Sequence, residues 1–530
     1  QPSSMAITDP LLEPLKLPCG KELKCRIIKG STTEGIANEY GCATDKHVTL
    51  YGGWAPNKFG IQIVGHFMID QKHVEHCGNV VLDRDSPKTV SKEHLDTLRR
   101  LADAGRAHGS LMIVQISHCG RQSRPGCSLE SIGPSAKPVR VFGVEMAPMR
   151  PEPFSTAEIK GVIDKYVFTA KALKDCGFDG IQIHAAHGYL PHQFLSPASN
   201  ERTDAYGGSV ARRAQFLLEL VSAIRVACGP AFAIGVRVSG QDFDANGITL
   251  EDTVETLRLL DAQSVDFVEV SGGTSENLAC LAGPHAMKLK MRTPLGTLVL
   301  GGVAVASFAS LAGYLDPKPA GKLLGPMTKI VTSAAGRATI GIASLVGAYR
   351  LRMNPSVRPE GWFLEDMKYL KEKAKPSRMR LGVVGGFYSR RGIEGAIRGG
   401  ADFVSVVSII CADQLAVKKM LDRDSDAAFH PQRIDWKMLG LPLPVSLITS
   451  LIPASKSKMQ LPSSVGSALR PVMASGYMWL WCVGNLAKFA EGEVAVPRPG
   501  TDGTPGAFAL GNAKMAADAK KLKALQPYWR

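Results

Sequence analysis

The stretch "DGIQIHAAHGYLPHQFLSP" (residues 179–197) joins a short apolar run to a polar turn. Its first six residues are typical of a buried strand. The run ends in His184, and the residues that follow include His187 and Tyr189, with no charged side chain among residues 183–197. Because side chains alternate along a strand, the two histidines can face one site only if His184 ends the strand and the chain bends directly after it. The stretch therefore predicts a strand whose carboxyl end presents two imidazoles and a phenol.

Seven further runs of this kind recur along the chain. They are 25–29, 60–65, 110–118, 232–239, 266–273, 380–386 and 402–408. Amphipathic helical patterns lie between them, two of which begin with capping signals at Ser155 and Ser209. Eight apolar strands alternating with helices predict a (β/α)8 TIM barrel.

Polar residues fall where a barrel keeps its active site, at the carboxyl ends of the strands. They are Gln115, Ser117 and His118 after the third strand, Arg237 in the fifth, Ser271, Gly272 and Gly273 in the sixth, and Gly385 and Gly386 in the seventh. A loop residue bonded to its neighbours would explain any one of them alone. With His184 and His187 of the fourth strand, polar groups stand at five strand ends, and together they favour a functional site.

The residue types at these ends argue against a metal site. A zinc or two-metal hydrolase would need several carboxylate ligands, whereas the fifth strand offers the cation Arg237 and the sixth offers Glu269. His192 lies beyond the turn and is predicted to be a packed loop histidine.

Neutral donors and a cation instead suit an anionic organic ligand. Arginine stabilises delocalised negative charge, glutamine recognises an imide-like edge, and glycine amides bind phosphate. Arg237, Gln115 and the Gly385-Gly386 pair would therefore suit a reduced flavin mononucleotide (FMN). Two imidazoles can polarise a substrate carbonyl, and a tyrosine can donate a proton.

The longest motif, "FDGIQIHAAHGYLPHQFLSPASNERTDAYGGSVARRAQFLLELV" (178–221), resembles the fourth-strand signature of the Old Yellow Enzyme family of FMN-dependent ene-reductases. Segments such as "LKCRIIKGSTTEGIA", "IVQISHCGRQS", "IGVRVSGQDF" and "FVEVSGGTSEN" follow the family's order. The resemblance covers about residues 15–280 and 360–425.

The resemblance implies a role for each matched residue. The flavin contacts are Thr33 near the reactive edge, Gln115 and Arg237 at the pyrimidine edge, and Gly385 and Gly386 at the phosphate. His184 and His187 match the pair that binds the substrate carbonyl, and Tyr189 matches the proton donor. The resemblance further implies FMN as cofactor, NAD(P)H as reductant, an enone-type substrate and ping-pong hydride transfer.

One departure concerns the phosphate. After the eighth strand the family usually has Gly-Arg, whereas this chain reads Val406-Val407-Ser408. Loss of a charge-assisted contact would cost about 1.5–3 kcal/mol of cofactor binding. We expect weaker FMN binding, or replacement of the missing arginine by Arg390 or Arg391.

The net charge of +15 is concentrated outside the barrel. Residues 281–359 hold ten Lys/Arg and one acid, and residues 431–530 hold twelve against five. Neither segment shows the aromatic interleaving that binds nucleic-acid bases. The segments are more typical of contact with a membrane surface or an acidic partner. A non-catalytic or weakly active flavin barrel that docks through them is the alternative function.

We predict four parts: the first six strands in 1–280, an insertion at 281–359, the last two strands in 360–430, and a C-terminal extension at 431–530. The insertion contains two weakly apolar runs, 293–315 and 328–349. They are interpreted as a hairpin lid, as a membrane-dipping hairpin, or as translated sequence without a structural role. The eleven cysteines form no C-x-x-C pair, and no secretion signal is evident. We expect a cytoplasmic protein, with membrane association through the insertion as the alternative.

Overall fold

A computed structural model describes residues 9–75, 78–123, 128, 130–141, 144–145, 151–276 and 360–422. Within these ranges, eight parallel strands close into a barrel, so the predicted fold is confirmed. The strands are β1 Ile27–Lys29, β2 Ile61–Met68, β3 Leu111–Ser117, β4 Gly180–Ala185, β5 Ala233–Ser239, β6 Phe267–Ser271, β7 Arg380–Val384 and β8 Val404–Val406. Pairing of Ser405 with Ile28 joins the last strand to the first.

Helices follow the strands as a (β/α)8 arrangement requires. They are α1 Asp45–Trp54, α2 Lys92–Arg106, α3 Thr156–Asp175, α4 Leu190–Leu195, α5 Val210–Cys228, α6 Leu250–Ala262, α7 Leu364–Ala374, α8 Arg390–Arg398, α9 Ser408–Ala412 and α10 Ala416–Leu421. Both predicted caps are confirmed. The Ser155 hydroxyl accepts from the Glu158 amide at 3.2 Å before α3, and Ser209 caps α5.

An apolar layer fills the amino-terminal end of the barrel. A small antiparallel hairpin, Leu15–Lys16 with Glu22–Leu23, packs against the first inward-facing residues of the strands. Phe267 of β6 lies over Gly235 of β5, where a Cβ would come within 2.2 Å of the ring. This end is therefore closed by packed side chains, which leaves the carboxyl end for chemistry.

Strand ends differ from the predicted ones in two instructive places. β7 stops at Val384 because Gly385 has a φ of 120°, which no strand residue adopts. β8 stops at Val406, and Ser408 already begins α9. Both strands were predicted to continue into the following loops, because the loop residues are as apolar and glycine-rich as the strands.

The insertion 281–359 and the extension 431–530 lie outside the described residues, as do both predicted apolar runs. Among the residues described, no helix is both long and apolar enough to cross a membrane.

Candidate active site

The structure brings His184, His187 and Tyr189 together at the carboxyl end of β4. The backbone turns at His187 and Gly188, whose φ angles are 58° and 84°. This turn places the His184 ring centroid 5.2 Å from that of His187 and 4.3 Å from that of Tyr189. The bend that the sequence analysis required is present, and the three side chains face one another.

Both imidazoles are held in the neutral form. Burial lowers the pKa of His184 well below its ordinary value, and the neighbouring His187, His66 and Arg237 lower it further. Burial and Arg237 likewise lower the pKa of His187. Each neutral ring keeps one N–H donor and one acceptor nitrogen. The pair can therefore donate to an oxygen without carrying charge.

Partners from neighbouring strands fix His187. Its Nε2 lies 2.8 Å from the Ser271 hydroxyl of β6, and its backbone amide donates to the Ser239 hydroxyl of β5 at 3.2 Å. In-register pairing of Ser239 with Ser271 brings both hydroxyls to the same level of the barrel. The ring is therefore oriented by two strands that are distant from it in sequence.

A polar layer lies inside the barrel below these rings. The Gln115 amide nitrogen donates to Gln182 at 2.7 Å, and its oxygen accepts from the Ser31 hydroxyl at 2.8 Å. The next strand contributes Arg237, whose Nε donates to the Glu269 carboxylate. A chain of hydrogen bonds through Gln182 and Glu269 thus links Gln115 to Arg237, and their contact with the flavin stays a prediction.

One hydrogen-bond donor of this polar layer, on Arg237, indicates that a ligand binds here. Arg237 is 5% exposed, and its Nη2 atom has no hydrogen-bond partner among the residues described. A buried guanidinium nitrogen without an acceptor is costly unless a ligand supplies one. The ring-binding part of the site therefore fits the electron-rich pyrimidine edge of FMN.

The phosphate part fits less well. Gly386 has a φ of 76°, and a Cβ there would lie 2.4 Å from Trp362 Nε1, so glycine is needed. The backbone N–H groups at this glycine can bind a phosphate. The residues directly after β8 are Val407 and Ser408, and neither carries the positive charge of an arginine. Carboxylates of Asp9 and Glu394 pair with Arg390 at 2.6 and 2.7 Å.

Arg390 is therefore engaged with two carboxylates, and its role as the replacement for the missing arginine stays a prediction. Its Nη1 also donates to a backbone carbonyl, that of Met420, at 2.7 Å. Arg391 is exposed on α8. FMN would thus be held at its phosphate by backbone amides more than by charge.

Two residues of the site, Thr33 and His192, have partners that the sequence did not predict. Thr33 is the residue that the resemblance matches to the reactive edge of the flavin. Its Oγ1 lies 3.1 Å from His66 Nε2. The sequence analysis missed His66 because the second strand was predicted to end at residue 65. His192, predicted as a loop histidine, lies in α4, where its Nε2 is 2.8 Å from Asp242 and its Nδ1 accepts from the Gly188 amide at 2.7 Å.

A second group of titratable side chains follows β2 and β3. Asp70, His73 and His118 are buried, with ligand atoms within 4.8 Å of one another. Lys165 Nζ lies 3.1 Å from the Asp70 carboxylate, so an ammonium already balances its charge. Burial lowers the pKa of His118 to about 3, which keeps that ring neutral. A neutral imidazole is able to bind a metal, so only the Lys165 ammonium beside Asp70 argues against a cation here, and the absence of a metal stays a prediction.

Comparison with known proteins identifies the family. The model of the NADH:flavin oxidoreductase / NADH oxidase family matches residues 10–287. The chain belongs to this family. The predicted relationship to Old Yellow Enzyme is thereby confirmed.

Relatives in the NADH:flavin oxidoreductase family match only in part. The NADH-dependent flavin oxidoreductase nadA of Aspergillus parasiticus is 36% identical over 248 residues, covering 47% of this chain and 55% of that protein. The NADPH dehydrogenase of Geobacillus sp. is 41% identical over 184 residues, which cover 34% of this chain and 51% of that protein. This member of the family thus spans about half the length of these relatives.

Solved structures of the family share the fold. The Old Yellow Enzyme homologue of Zymomonas mobilis superposes with a TM-score of 0.54 at 16% identity, covering 79% of this chain and 94% of that one.

Proposed function

We propose that this flavin oxidoreductase uses FMN and NAD(P)H to reduce the C=C bond of α,β-unsaturated carbonyl compounds. The observation that carries the proposal is the convergence of His184, His187 and Tyr189 above the Arg237 cation. Neutral donors suit a carbonyl oxygen, and a phenol beside them can donate a proton.

The roles of the residues follow from their positions. Bound FMN would supply the hydride chemistry, accepting a hydride from the nicotinamide and giving it to the β-carbon of the acceptor. His184 and His187 hold the carbonyl oxygen and stabilise the negative charge that develops there. Tyr189 donates its proton to the α-carbon. Gln115 and Arg237 would hold the pyrimidine edge of the flavin, and Thr33 would lie near its reactive edge.

One mouth would serve both the nicotinamide and the acceptor, so we expect ping-pong kinetics. The test is to purify the protein, release its flavin by denaturation, and then follow cyclohexenone reduction with NADH and with NADPH under anaerobic conditions. We expect a yellow protein that consumes the enone. A protein that takes up no flavin even in excess FMN, or that is reduced by the nicotinamide but transfers nothing to the enone, would contradict the proposal.

A docking role for the insertion is a separate proposal, supported by its ten Lys/Arg against one acid over 281–359. Polybasic segments bind anionic lipid surfaces. Co-sedimentation with phosphatidylserine vesicles should exceed that with neutral vesicles and fall with added salt. Equal binding to both kinds of vesicle would contradict it.

A further inference from the structure

The turn that carries His187 has an unusual backbone. His187 has a φ of 58° and Gly188 has a φ of 84°, so two successive residues lie in the left-handed region. For a residue with a Cβ this conformation is uncommon, and it persists only where neighbouring groups hold it. The turn sets where the side chains of His187 and Tyr189 point, so the groups that anchor it also shape the site.

Two side chains of α4 hold the backbone of Gly188. The Gly188 amide donates to His192 Nδ1 at 2.7 Å. The Gly188 carbonyl accepts from Gln193 Nε2 at 2.7 Å. His192 and Gln193 are each 1% exposed, so both bonds are shielded from water. The turn is therefore fixed on two sides by the short helix that follows it.

The bond to Gly188 determines the tautomer of His192. A backbone amide only donates, so Nδ1 carries no hydrogen, and the hydrogen of the ring lies on Nε2. This Nε2 lies 2.8 Å from Asp242 Oδ1, and Asp242 is 1% exposed. Although burial acts to raise the pKa of Asp242, its interaction with His192 and its hydrogen bonds hold that pKa below the ordinary value. The ionised carboxylate accepts from Nε2–H and thereby selects the tautomer.

The second oxygen of Asp242 is fixed by two donors. Its Oδ2 accepts from the Ser196 hydroxyl at 2.7 Å and from the Ile248 amide at 2.9 Å. In Asp242→Asn the amide oxygen would keep this position, because the buried Ile248 amide needs an acceptor. The NH₂ group would then face His192 Nε2 and force the ring hydrogen onto Nδ1, against the Gly188 amide. A change of one atom would thus replace a hydrogen bond by a contact between two donors.

We infer that Asp242 and His192 are positioning residues for the enone half-reaction, an inference that rests on the proposed function. Asp242 selects the tautomer in which His192 accepts from the Gly188 amide. That bond holds the turn that presents His187 and Tyr189 to the acceptor. Neither Asp242 nor His192 transfers a proton, so both act through geometry alone.

Asp242→Asn tests whether the tautomer matters. The two readouts are the binding of a substituted phenol to the FMN-loaded protein and the rate of the enone half-reaction after reduction by NAD(P)H. We expect a loss of about tenfold in each, since small displacements of groups that position a substrate are costly. Asp103→Asn is the matched control, because this carboxylate on α2 is 80% exposed, and it should behave as the parent. FMN affinity should be unchanged in both variants.

Substitution of His192 separates the tautomer from a structural role. The Oδ1 atom of His192→Asn can accept from the Gly188 amide in place of Nδ1, and the imidazole that Asp242 controls is removed. His192→Asn should therefore lose much less than His192→Leu, which offers no acceptor. Added to Asp242→Asn, His192→Asn should recover most of the tenfold loss, whereas independent structural defects would add.

A double variant as impaired as Asp242→Asn, equal losses in His192→Asn and His192→Leu, or a parallel loss of FMN affinity would overturn the inference alone. If Asp242→Asn does not fold, the comparison of His192→Asn with His192→Leu decides it. A parent that binds the phenol yet reduces no enone would overturn the proposed function, and the phenol affinities would then decide whether the turn is positioned in this way. A parent that binds FMN but no phenol would overturn both.

Discussion

Burial sets the protonation of the two imidazoles that we propose hold the substrate oxygen. His184 is 3% exposed, and its pKa is lowered first by desolvation and then by neighbouring histidines and Arg237. A neutral donor can polarise a carbonyl while leaving the proton transfer to another group. The division of work between the histidines and Tyr189 therefore follows from where the residues lie in the barrel.

Tyr189→Phe should spare flavin reduction by NAD(P)H and slow enone reduction by roughly 10²–10⁴-fold, the usual contribution of a positioned acid. The ring packing against His184 at 4.3 Å is retained by phenylalanine. Stopped-flow absorbance resolves the two half-reactions. Reoxidation by the enone at the parent rate would refute the assignment of Tyr189 as proton donor.

His187→Ala should weaken binding of phenol-like ligands, which mimic the enolate, by about tenfold, because one hydrogen bond to a charged oxygen is lost. The change in flavin absorbance on adding a substituted phenol measures the affinity. His108→Ala, on the surface beyond α2, should bind the phenol as the parent does. Equal affinity of His187→Ala and His108→Ala for the phenol would show that His187 does not bind the negatively charged oxygen.

At the scale of elements, we propose that the junction of β8 and α9 determines how tightly the cofactor phosphate is held. The Gly30 amide donates to the Val406 carbonyl at 3.0 Å, and a Cβ at Gly30 would lie 3.0 Å from the side chain of Val407. A branched side chain therefore crowds the junction, while Ser408 begins α9 without a charge.

Ser408→Arg, alone and together with Val407→Gly, should tighten FMN binding by about 1.5–3 kcal/mol, since a charge-assisted contact to the phosphate is restored. Quenching of flavin fluorescence gives the affinity. Riboflavin, which lacks the phosphate, is the internal control and should bind all forms equally. A variant that gains affinity for riboflavin as much as for FMN would show that the phosphate is not the cause.

At the scale of the whole molecule, folding buries a set of histidines in neutral form. The residues whose pKa is lowered chiefly by burial are His73, His94, His118, His184 and His187. In the unfolded chain these rings titrate near about 6.5. Between that value and their lower folded values, the unfolded state binds more protons, so the free energy of unfolding falls as the pH falls.

We therefore expect the thermal midpoint to drop between pH 7 and pH 5, a window above the titration of unfolded carboxylates. Each buried ring contributes up to about 1.4 kcal/mol per pH unit. Differential scanning fluorimetry across this window measures the slope. His118→Gln, which removes the ring with a folded pKa of about 3, should flatten it, whereas His108→Gln should not. A midpoint independent of pH would contradict the linkage.

Local patterns were enough to predict the barrel and the principal site. β-branched runs of strand length, the capping residue Ser155 and the turn after His184 are properties of neighbouring residues, so the sequence determines them directly. The placement of Gln115 and Arg237 followed from one further rule, that parallel strands bring their carboxyl ends to one face. The family resemblance added the position of Thr33 and the enone-type substrate.

Only the tertiary structure decided which distant residues meet. His66 reaches Tyr189 because a bulge shifts β2 against β3. Arg390 pairs with Asp9, which lies 381 positions away in sequence. Such contacts depend on strand register and on competition among partners across the barrel, which no local pattern encodes. The sequence by itself therefore determined the barrel and its strand-end residues, whereas closure of the barrel decided the partners and protonation of those residues.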